Sequence, residues 1–167
     1  MTELVEILLR ASLIGVGATI VMDVWALVMK IFFKIQPLNW AMVGRWLGHF
    51  PKGQFVHTGI GTAAPVPGEL VIGWLAHYLT GIIFSILLLL LLGMQWANQP
   101  TPLPAMLFGL TTVLFPFLIM QPGLGAGIAA SKTPNPNQAR LRSLLTHAVF
   151  GVGLYCSTLL TAKLIGN

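Results

Sequence analysis

Asp23, His77 and His147 are the side chains whose types and positions could do chemistry in an apolar setting. Asp23, the only aspartate in the chain, sits in the middle of the greasy stretch GATIVMDVWALVMK (17–30). A charged carboxylate at mid-membrane costs about 3 kcal/mol on insertion scales. That cost falls if the group turns inward and meets a histidine or an arginine, or if burial keeps it protonated. His77 lies eight residues past Glu69, roughly 12 Å along a helix from its start. His147 lies five residues past Arg142, roughly 8 Å in, and Asp23 lies seven residues inward of Lys30, about 10 Å by the same rise. The expectation is an inward-facing polar layer of Asp23, His77 and His147, with Gln121 at its edge. Such a layer suits proton-coupled movement of a small solute. If the two imidazoles face one another, they are also candidate ligands for haem iron or zinc. The plain alternative for each histidine is a hydrogen bond to a neighbouring helix.

The elements that must carry these residues are membrane spans. Of 167 residues, 56 % are hydrophobic and only 8 % charged, against roughly 25 % charged in a soluble domain. Four apolar runs reach the ~20 residues a span needs: about 4–33, 69–92, 102–120 and 143–165. The expected fold is all-α, one transmembrane domain over 1–167, a four-helix membrane bundle with a short interfacial helix in the first loop. Glu3 and Glu6 replace the basic start of a cleaved signal, so the first run is expected to be retained. Of nine basic residues, Lys34, Arg45, Lys52, Lys132, Arg140 and Arg142 fall in or beside the first and third connections. By the positive-inside rule, loops 34–68 and 121–142 are cytoplasmic and both termini lie outside. The dispersed charges argue against nucleic acid as a partner. The expected partners are the bilayer, a small solute and, since one copy of four spans encloses little pore, further copies of the chain. The single cysteine, Cys156, excludes an intrachain disulfide.

The two long loops hold a second candidate constellation. In LNWAMVGRWLGHF, Asn39 is a helix cap, and Trp40, Val43, Trp46, Leu47 and Phe50 recur at helical spacing. Arg45 and His49 are expected on the wetter side of that helix, with Pro51 and Gly53 ending it. His57, Glu69, Lys132, Arg140 and Arg142 complete a cytoplasmic rim. Two histidines and a glutamate could supply acid–base chemistry or a zinc site, with arginines holding an anionic headgroup, as in an enzyme acting on a lipid-like substrate. No nucleophile motif accompanies them, and the balance leans away from an enzyme.

Glycines mark the faces where helices approach. Gly73, His77 and Gly81 share one stripe, and His147 and Gly151 another; Gly123 and Gly127 are read as a further close-packing pair. A phosphate-loop reading of the segment before Lys132 fails, because Ser131 and Ala126 stand where glycines are needed. Pro116 should kink the third span by leaving the Thr112 carbonyl without its usual amide. AHYLTG and THAVFG, with IQP and MQP, hint at a two-plus-two repeat.

NWAMVGRWLGH, FVHTGIG, PVPGELVIGWLAHYLTGI, MQPGLGAGIAASKTPNPNQARLRSLLTHAVFGVGLY and MDVWALVMK resemble the bacterial membrane-protein family catalogued as domain of unknown function 2938. The resemblance runs from about residue 17 to 155. It implies a small bacterial inner-membrane protein with several spans, and it carries over no catalytic residue or cofactor.

Overall fold

The computed structural model describes residues 3–165. Among these the chain is all-α, with no strand. Four helices are long and apolar enough to cross a membrane: α1 (Glu3–Phe33), α3 (Glu69–Asn98), α4 (Pro102–Leu124) and α5 (Pro136–Ile165). A short helix, α2 (Trp40–Gly48), lies between the first two. Only 28–39 % of each span's most apolar window is buried within the chain. Leu, Ile, Val and Phe side chains cover most of the remainder. Such a surface needs hydrocarbon rather than water around it, and this is a membrane protein.

The helix ends follow local chemistry and differ in places from the hydropathy limits. α1 stops where Lys34 takes a positive φ of 58°, with Pro37 just beyond. The second run's expected end near 92 falls at a break: Gly93 has φ 77° and ψ 169°, and further helical turns continue to Asn98. α4 runs on past 120 through a π-helical stretch, Pro116–Met120. Without an amide of its own, Pro116 lets the ladder widen there, so Gln121 and Gly123 belong to the helix rather than the loop. α5 begins at Pro136 rather than near 143, with the Ala139 amide bonded to the Asn135 carbonyl at 3.1 Å. Arg140 and Arg142 are therefore helical residues. Proline suits the first turn of a helix, where its missing donor goes unused.

The chain divides into two compact units. Among the described residues, the first comprises 3–36, 78–112 and 145–165. Its core is Ala11, Ile14, Ala18, Leu88, Leu89, Ala97, Ala105, Phe150 and Leu154. Small residues let the backbones close on one another here. A Cβ on Gly15 would lie 2.6 Å from the Ile82 Cα, and one on Gly153 would lie 2.9 Å from the Ala18 Cα. A Cβ on Gly109 would fall against Gly151, and one on Gly151 would lie 2.8 Å from the Met106 Cα. Gly15→Val is accordingly expected to cost at least the ~1–3 kcal/mol of an overpacked core, because backbone cannot move aside as a side chain can. A lowered midpoint of thermal unfolding in detergent would measure it.

The second unit comprises residues 37–77 and 113–144. Val43, Trp46 and Ile60 are its buried centre, packed by Trp40, Met42, Leu47, Phe50, Ala63, Met120 and Leu124. Asn39 caps α2, its side chain accepting from the Ala41 amide at 3.0 Å. At Gly44 and Gly73 the backbones of α2 and the first turns of α3 touch: a Cβ on Gly44 would strike the Glu69 carbonyl, and one on Gly73 the Trp40 carbonyl. Gly123 makes room for the Trp46 indole, 2.5 Å from where its Cβ would stand. Gly127 has a different role from helix packing. It turns the chain at φ 74°, and a Cβ there would meet its own loop at Ser131.

Candidate functional site

The close approach at Gly44 and Gly73 sets Arg45 opposite Glu69. The two form a bidentate pair, Nε to Oε2 and Nη2 to Oε1, both at 2.8 Å. Arg45 Nη1 donates to the Ala63 carbonyl at 3.2 Å, and Glu69 Oε2 also accepts the Val66 amide at 3.1 Å. The pair thus fastens α2, the start of α3 and the loop before it. Donating its hydrogen bonds to the Glu69 carboxylate raises the Arg45 pKa above its ordinary value, so the guanidinium stays charged. Arg45 and His49 do not form a wet side: they are only 9 % and 4 % exposed. The polar face of α2 is covered by loop 53–68, which its charges help to fold.

That irregular loop is held at further points. The Trp46 indole donates to the Phe55 carbonyl at 2.7 Å, and the His57 amide donates to the Gly123 carbonyl at 3.0 Å. The loop also passes close over Gly125, where a Cβ would lie 2.6 Å from the Thr58 carbonyl carbon. Between the loop and the end of α2 lies an open cavity of about 450 Å³, lined in part by His49, Lys52, Gln54, His57, Thr58 and Thr62.

The two imidazoles define its chemistry. His49 Nε2 lies 3.1 Å from the Ala64 carbonyl oxygen. A carbonyl only accepts, so Nε2 carries the proton and Nδ1 presents a lone pair in the neutral ring. The His57 ring stands 5.1 Å away, centroid to centroid, tilted by 45°. His49 Nδ1 and His57 Nε2 are both buried and have no hydrogen-bond partner. Buried polar atoms are nearly always paired, so two such nitrogens on neighbouring rings that line one cavity are a sign of a site.

Of the expected rim, Arg45, His49, His57 and Glu69 are gathered in this way. Lys132 and Arg142 are exposed. Arg140 is engaged elsewhere, donating through Nε to the Ala129 carbonyl at 2.9 Å and through Nη1 to Asn137 Oδ1 at 3.0 Å. Gln54, Thr58 and Thr62 were not singled out by the sequence, and Lys52 only as a basic loop residue. They lie in a Gly/Pro-rich stretch without periodicity, where no spacing announces which side chains converge.

The intramembrane groups each have a local partner. Asp23 Oδ2 accepts the Tyr78 hydroxyl at 2.8 Å. Thr112 Oγ1 donates to the Gly109 carbonyl at 2.6 Å and so must accept from His147 Nδ1, 2.7 Å away. The remaining imidazole nitrogen of His147, Nε2, then carries the lone pair. His77 stacks on Trp40 at 3.9 Å and 25°, with the Trp74 ring edge-on at 5.8 Å. Gln121 Nε2 donates to Ser143 Oγ at 3.3 Å, while its buried Oε1 is unpaired. Among the described residues, no group of three or more His, Cys, Asp and Glu side chains could hold a metal ion.

Fold and sites together define a multi-pass, all-α membrane protein with polar groups in its spans and a histidine-lined cavity in its first loop. The chain belongs to the family described as "Protein of unknown function (DUF2938)", whose pattern matches residues 12–161. No curated protein and no solved structure matches it.

Proposed function

We propose that this protein binds a small polar solute at the loop cavity. The observation that supports the reading is a space of about 450 Å³ lined by His49 and His57, neighbouring rings whose Nδ1 and Nε2, respectively, are buried without a hydrogen-bond partner; the volume is in the range of small-molecule sites. Placement of the basic residues supports a cytoplasmic cavity and termini outside, in the inner membrane of a bacterium. Proton-coupled transport of the bound solute is the use we favour. Its support is Asp23, a carboxylate kept inside an apolar helix and hydrogen-bonded to Tyr78, since intramembrane carboxylates mark proton and ion paths.

Gly59 offers a clean test. It lines the cavity, its backbone is extended at φ −172°, and a Cβ there has open space. Gly59→Trp should therefore fold normally and fill the site. Wild-type protein in detergent is expected to gain thermal stability with at least one member of a panel of inorganic anions, amino acids and divalent metal chlorides. The variant should gain none. A stabilisation that Gly59→Trp leaves intact would move binding elsewhere and sink the reading.

A further inference from the structure

We infer that the loop cavity is a two-histidine site for a first-row transition-metal ion of the zinc, cobalt or nickel type, with His49 Nδ1 and His57 Nε2 as its protein nitrogen ligands. The inference rests on reading the cavity as a binding site and names the chemistry that site would take.

Three observations point the same way. The first is the state of His49. Metal-ligating histidines usually donate their other ring N–H to a carbonyl or carboxylate, which fixes the tautomer and aims the lone pair. His49 does this through Nε2 to Ala64, at 3.1 Å. The second is ring spacing. With metal–nitrogen bonds of ~2.0–2.1 Å at a tetrahedral angle, two imidazole centroids stand about 5 Å apart. The His49 and His57 centroids are 5.1 Å apart. The third is that both of these nitrogens are buried and lack any hydrogen-bond partner.

The rest of the site fits an exchangeable ion better than a permanent one. The Glu69 carboxylate is engaged by both Arg45 and the Val66 amide. The further ligands available are water and the oxygens of the lining Gln54, Thr58 and Thr62. Neutral imidazole selects borderline metals over magnesium or calcium, which take oxygen cages. An anion would instead need His49 protonated at Nδ1. The Lys52 ammonium, also in the lining, would favour that anion, so the experiment carries an anion arm.

Tag-free, detergent-purified protein is titrated with cobalt chloride and followed by the visible d–d bands of tetrahedral cobalt, with zinc chloride as competitor. Wild type should bind one ion per chain, displaced by zinc. His57→Gln and His49→Gln should each weaken binding about a hundredfold, at least the 10–100-fold cost of losing a second-shell partner. His57 is half-buried and ties its loop down through its backbone, so His57→Gln should remain folded by thermal unfolding even if His49→Gln does not. Absence of saturable cobalt or zinc binding by wild type overturns the inference. Binding that survives in the double variant also overturns it. In a parallel arm, stabilisation by inorganic phosphate that His57→Gln abolishes, without cobalt binding, overturns the metal assignment and leaves the cavity as a binding site for an anion.

Discussion

Glu69→Ala is expected to reduce the yield of monodisperse protein several-fold, while the double change Arg45→Met with Glu69→Leu restores most of it. Removing the carboxylate alone strands a guanidinium that is largely shut from water, with two of its hydrogen bonds gone, and orphans the Val66 amide. Breaking one half of a buried pair is far more damaging than replacing both halves with apolar groups of similar volume. Marginal losses of stability already change recoverable protein several-fold. Arg45→Lys should recover little, because an ammonium cannot reproduce the two parallel contacts to Glu69 and the third to Ala63. Size-exclusion profiles of the four proteins would check this. Equal recovery of the single and double variants would mean that the pair does not hold α2 against α3.

The same pair shows how far the chain could be read in advance. The spans were legible because ~20-residue apolar runs have few other uses, and α2 because Asn39 and the Trp40–Val43–Trp46 spacing are local signals. Arg45, His49, His57 and Glu69 could be named as polar loop residues. Their arrangement could not, because it depends on Gly44 meeting Gly73, a contact between segments nearly thirty residues apart. Helical periodicity then misled about the polar face of α2: polarity suggested water, whereas an arginine with a bidentate partner is content to be covered. The cavity was illegible for a related reason. Loop 53–68 takes its path from hydrogen bonds to Phe55, His57 and Ala64 made by other elements, and none leaves a repeat in the sequence. Tyr78 did leave a trace, as a hydroxyl beside His77 within an apolar run, but only the structure gives it Asp23 as partner.

That partnership separates two roles for Asp23. Asp23→Asn keeps an oxygen that can accept the Tyr78 hydroxyl, so the folded protein should survive with little change in thermal stability. Asp23→Leu removes the acceptor and should destabilise by about 1 kcal/mol, the net worth of one hydrogen bond, because both side chains are only half-buried. Tyr78→Phe removes the donor, and its cost should not add to that of Asp23→Leu, since the two act on one hydrogen bond. The transport we propose would divide the variants differently. Asparagine cannot take up and release a proton, so in proteoliposomes solute uptake driven by a pH gradient should be lost in Asp23→Asn while binding at the loop cavity persists. Tyr78→Phe should keep uptake, because the Asp23 carboxyl is still there. Uptake in Asp23→Asn that matched wild type would reduce this aspartate to a structural acceptor for Tyr78 and leave the loop cavity as the protein's functional centre.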